Sequence, residues 1–152
     1  METLTPEETF AYGTVQNELK LAFYTIPLDG ESCTLTIKQN AAKTTLKVGQ
    51  NGRANLKINL TLSSGIVDYS KSVPQTELAD VGDVPAGAFA AAEKKLSGEI
   101  HSLFEKAKEH GCDLFGVRAM LTKYGKRSQR NFADNILKNT QIDVSVKFQN
   151  VR

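Results

Sequence analysis

Tryptophan is absent from this 152-residue chain, and cysteine and histidine occur only twice each. Cys33 and Cys112 do not make a disulfide framework, and neither has a second ligand pair at zinc-site spacing. Each reads as a small buried hydrophobe, and whether the two pair stays open. No apolar run approaches the roughly 18–20 residues needed to span a bilayer. The start, Met1-Glu2-Thr3-Leu4-Thr5-Pro6-Glu7-Glu8, lacks the basic and apolar regions of a signal peptide, so the chain as written reads as soluble. An excess of one charge is missing too. A net charge of +2 is too small to make nucleic acid the default partner, so any electrostatic function needs a local cluster.

What is present is ordinary globular material, 40% hydrophobic and 24% charged. One domain over residues 1–152 accommodates it, with residues 1–12 expected to be flexible. The first half reads as strands. In residues 19–26, Leu19, Leu21 and Phe23 alternate with Lys20 and Ala22, and Pro27-Leu28-Asp29-Gly30 forms a turn. Cys33, Leu35 and Ile37 alternate next. A break is expected at residues 39–42, followed by a strand over 43–48. Gly49-Gln50-Asn51-Gly52 signals a hairpin, since Asn-Gly readily takes the positive φ angles of a type I′ turn. The return strand then places Leu56, Ile58, Leu60 and Leu62 on one face.

Residues 73–87, rich in proline, glycine and acids, read as a linker loop within the domain. A long amphipathic helix follows, its stripe made of Phe89, Ala92, Leu96, Ile100, Leu103 and Ala107, and Gly111 ends it as a C-cap. Shorter helices are expected over 115–124 and 129–137, and a last strand over 142–148. The fold class is α+β: a curved antiparallel sheet with the long helix and the shorter ones packed on one face.

Catalytic chemistry finds little support. His101 stands four residues before Glu105 and reads as a partly exposed helical histidine; His110 sits at a helix end that favours a cation. No nucleophile elbow and no phosphate loop occur, and no metal or cofactor set emerges. The strongest surface signal is basic. Arg118, Lys123, Lys126, Arg127 and Arg130 occur with no acidic residue between Asp113 and Asp134, a candidate docking patch for an acidic partner or an anionic membrane. Just before it, Asp113 can cap the next helix, Phe115 can anchor it, and Gly116 permits close packing.

The order of long helix, Asp113-Leu114-Phe115-Gly116-Val117, basic segment and Asp143-Val144-Ser145-Val146-Lys147-Phe148 resembles the C-terminal domain of the Ger(x)C family. These proteins are the C subunits of spore germinant receptors. The strands over 19–37 and 43–62 look like the preceding part of that domain, with Phe132 in the apolar role of a tryptophan that members carry. The resemblance implies a parent lipoprotein on the outer face of the spore inner membrane, held by a lipid anchor outside these residues. It also implies work in germination alongside A and B receptor subunits, with no shared catalytic residues and no cofactor. The rival reading is a small-ligand carrier or enzyme, with an apolar pocket lined by Leu56, Ile58 or Phe104.

Overall fold

The structure, a computed structural model, describes residues 3–19, 21–28, 30–69, 87–126, 132 and 134–150. The elements run α1 (Pro6–Val15), β1 (Ala22–Leu28), β2 (Glu31–Val48), β3 (Ala54–Tyr69), α2 (Ala88–Glu109), α3 (Val117–Tyr124) and β4 (Thr140–Asn150). The strands form one four-stranded sheet in the order β1-β2-β3-β4. The α+β class holds, and the helices share one face of the sheet with the core. Of the linker expected at 73–87, only Gly87 lies among the described residues.

Residues 6–12, expected to be flexible, belong to α1. Thr5 and Glu8 close a reciprocal capping box: the Glu8 amide donates to the Thr5 hydroxyl at 3.1 Å, and the Thr5 amide donates to the Glu8 carboxylate at 3.0 Å. Pro6 starts the helix with its φ already set. The helix buries Ala11, Thr14 and Val15, and its Phe10 stacks on Tyr24 with centroids 4.6 Å apart.

β1 has the opposite phase from the one expected. Leu21 and Phe23 are 65% and 61% exposed, while Tyr24, Ile26 and Leu28 point into the core. A side-chain period of two means that a slip of one residue exchanges the faces. The tight turn to β2 sets the register: Leu28 pairs with Glu31, and Gly30 takes a φ of 78°. Pro27 therefore lies inside this edge strand rather than in the turn, where its missing N–H is tolerated.

The break expected at residues 39–42 is absent, because β2 runs through it. A register shift between Ile37 and Gln39 inserts one residue and reverses the alternation. Leu35 and Ile37 before the shift, and Leu46 after it, thus all face the core. The hairpin lies where Asn51-Gly52 predicted, but as a longer loop. Gly49 and Arg53 close it at 2.8 Å, Asn51 accepts from the Arg53 amide at 3.1 Å, and Gly52 has a φ of 81° while Asn51 is not left-handed. A Cβ at Gly52 would lie 2.9 Å from the ring of Phe132, so the turn and that ring pack directly.

The largest correction concerns β4, which joins β3 in parallel, from Ala54↔Thr140 to Ser64↔Asn150, so the sheet is mixed. The reason is the length of α2. A 22-residue helix returns the chain along the sheet, so the next strand starts at the end where β3 started. The third helix expected over 129–137 is replaced, over residues 134–139, by turns that bury Ile136 and Leu137.

The core consists of Leu56, Ile58, Leu60 and Leu62 of β3 against Ala92, Leu96, Ile100, Leu103 and Phe104 of α2. Each large side chain here contributes about 1.5–3 kcal/mol by burial. Two charged α2 side chains also grip the edge strand. Glu93 accepts from the Phe148 amide at 2.9 Å, and Lys108 donates to the Thr140 carbonyl at 3.0 Å.

Candidate functional site

The segment after α2 is built by local backbone rules. Gly111, at φ 66°, lets the chain turn back on itself; the Cys112 amide donates to Ala107 O at 2.8 Å and the Gly111 amide to Lys108 O at 3.0 Å. These bonds satisfy carbonyls that the helix end leaves open, the Schellman pattern. Asp113 then caps α3, accepting from the amides of Val117 at 2.7 Å and Arg118 at 3.0 Å. Phe115 is the expected anchor. Its ring stacks on Phe104 at 5.8 Å and on Tyr12 at 6.3 Å, tying α1, α2 and the start of α3 together. Gly116 serves a different purpose from close packing: nothing lies within 4 Å of where its Cβ would be, and its φ of 72° is what requires glycine.

Val117 and Leu121 bury the inner side of α3 and leave Arg118, Lys123 and Lys126 exposed. Arg127 and Arg130 lie outside the described residues. Gly125 closes the helix where a Cβ would come 2.5 Å from the Leu121 carbonyl oxygen, a constraint that no sequence pattern advertised. The stretch around Arg118 is acid-free along the chain but not in space. Arg118 lines a hollow of about 450 Å³ with Glu105, Glu109 and Asp134. Lys108 and Lys138 line that hollow too, and they also face a second one without any carboxylate, a volume of about 690 Å³ shared with Lys47 and Arg53 at the β2–β3 loop end of the sheet. Its cations come from separate segments, so no run in the sequence announced it.

Leu56, Ile58 and Phe104, the side chains named for an apolar ligand pocket, are at most 1% exposed and packed within the core. A groove of about 840 Å³ lies instead on the outer side of α2 beside Pro27, Glu8 and Lys106. At its edge Tyr24 donates to Glu99 at 3.1 Å, and Lys95 bonds the same carboxylate at 2.9 Å while sitting 4.5 Å above the Tyr24 ring. Burial, and then the Glu99 charge, push the Tyr24 hydroxyl well above the ordinary phenol range. That cluster clasps β1 to α2. His101 is exposed, and His110 bonds the Lys106 carbonyl through Nδ1 at 2.8 Å. Cys33 is buried and Cys112 half-buried, and no disulfide joins them. No described helix is long and apolar enough to cross a membrane.

Comparison with known proteins places these features. The family model described as "Spore germination B3/ GerAC like, C-terminal" matches residues 1–152. Among solved structures, the one described as "Crystal Structure of the GerBC protein" superposes with a TM-score of 0.78 at 16% identity. The match covers 98% of this chain and 46% of that one, so the chain spans about half the length of that relative. At that identity the likeness speaks for the fold. No curated protein matches the sequence.

Proposed function

The chain belongs to the spore germination B3/GerAC-like C-terminal family, and from that premise we propose that it is the C-terminal domain of a germinant receptor C subunit. Its role is non-enzymatic: it contacts the A and B subunits of the receptor and supports germination in response to nutrients. The parent protein is held by a lipid anchor on the outer face of the spore inner membrane. The observation that carries this reading is the family match over the whole chain, joined by the same fold in a protein described as GerBC.

The candidate contact is the outer side of α3, with Arg118, Lys123 and Lys126 and the following Arg127 and Arg130. Val117, Leu121 and the Asp113 cap hold that helix in place, so its charges are presented from a fixed backbone, which favours specific pairing with an acidic partner face. Spores whose C subunit lacks this domain should fail to germinate through that receptor while responding normally through others. Unimpaired germination through the truncated receptor would falsify the assignment.

A further inference from the structure

On the side of the sheet away from the helices, β2, β3 and β4 present Lys43, Lys47, Lys57 and Lys147, all exposed. The register spreads them over three adjacent strands: Lys43 beside Asn59, Lys47 beside Asn55, Thr45 beside Lys57, and Thr61 beside Lys147. Between them the surface is uncharged, with Asn55, Asn59, Gln141 and Ser145 exposed. Asp143, next to Lys57, is the one carboxylate among the described side chains of this three-strand area. Neither ion pair among the described residues uses these lysines. At the loop end the face continues into the hollow lined by Lys47, Arg53, Lys108 and Lys138 and by no carboxylate, Lys108 and Lys138 also bordering the neighbouring hollow that holds Glu105, Glu109 and Asp134. Lys108 is held there by its bond to the Thr140 carbonyl at 3.0 Å.

We propose that this sheet face is a docking surface for an anionic phospholipid membrane, with the hollow accepting a headgroup phosphate. The choice of lysine decides the kind of partner. Protein interfaces are enriched in arginine, which pairs with carboxylates through a fixed two-pronged geometry, and are depleted in lysine. Lysine is a compact charge on a flexible stem and needs no matched partner geometry, which suits mobile headgroups. The strand cations on this face are all lysines. Carried on a rigid sheet, they meet a charged surface together, and each contributes about fivefold to partition onto it. The surface uses none of the α3 cations, so it stands or falls independently of the subunit contact proposed above.

The test is sedimentation of the whole chain with phosphatidylcholine vesicles, with and without phosphatidylglycerol. Binding should require phosphatidylglycerol and weaken as salt is added. A Lys43→Gln/Lys57→Gln/Lys147→Gln variant should bind about a hundredfold more weakly, from about fivefold per lysine. Its melting temperature should stay unchanged, because all three side chains are exposed. A Lys47→Gln/Lys138→Gln variant should also lose affinity. Equal binding to neutral vesicles, or binding indifferent to the lysine variants, overturns the proposal. So does a loss confined to Arg118→Gln/Lys123→Gln, which would put the contact on α3. Saturable binding of inorganic phosphate without vesicle binding would make the hollow a soluble-anion site, and polyglutamate binding as tight as that of vesicles would indicate an acidic protein; either result refutes the lipid assignment.

Discussion

Replacing Phe115 by alanine removes the ring that joins three helices. Phe115 is 4% exposed and lies between Phe104, at 5.8 Å and 5° from parallel, and Tyr12, at 6.3 Å and 21°. Phe→Ala in a packed core costs about 3–5 kcal/mol, because the removed surface is compounded by a cavity that the neighbours cannot fill. Here both flanking rings sit on helices that are held by other contacts: α1 by its capping box and Phe10, α2 by the whole β3 face. Collapse onto the void is therefore resisted, and a loss of about 4 kcal/mol follows. For a domain of this size that lowers the melting temperature by roughly 8–16 °C. Phe115→Leu keeps most of the volume and loses the stacking, so it should cost about 1–2 kcal/mol. Urea unfolding of the three proteins, with a shared dependence on denaturant, measures both values. A loss under about 1 kcal/mol for alanine, or equal losses for alanine and leucine, would show that the ring fills no defined slot.

Asp113→Ala removes the carboxylate that two α3 amides use and should cost about 1–2 kcal/mol in the same assay, with Asp113→Asn recovering part of it; no loss would mean that water caps the helix equally well. The Glu8 carboxyl is held below its ordinary value of 4.5, first by the Thr5 amide and then by Lys106. A lowered folded-state value means that this stabilisation is complete above 4.5 and is lost as pH falls through the folded-state value. The stability advantage of the native chain over Glu8→Gln should accordingly be largest near neutral pH and shrink in acid, and a gap that stays constant with pH would refute the role given to that charge.

Much of this protein is local in origin and was therefore readable along the chain. The period-two pattern of Leu56–Leu62 and the helical stripe from Ala92 to Ala107 each follow from one element burying one face. Gly111 and Asp113 act through bonds to residues a few positions away, so spacing alone announced them. The capping box at Thr5 and Glu8 was equally local, yet it sits in a segment that was expected to be flexible. Asn51-Gly52 marked the hairpin without its loop length, because loop geometry also depends on the ring of Phe132 packed against Gly52.

What the sequence by itself determined, then, is the class of fold, the succession of β3, α2, α3 and β4, and the family; α1, the continuity of β2 and the turns before β4 were not among it. The tertiary structure alone decided three further things. The phase of β1 depends on pairing with β2, which turned Leu21 and Phe23 outward. The parallel placement of β4 depends on where α2 delivers the chain. The distribution of charge depends on which distant segments meet: the acid-free stretch around Arg118 acquires Glu105, Glu109 and Asp134 as neighbours, while scattered lysines assemble into a basic face. Hydrogen bonds and helical periods act over a few residues, whereas surface potential sums over everything that folding brings close.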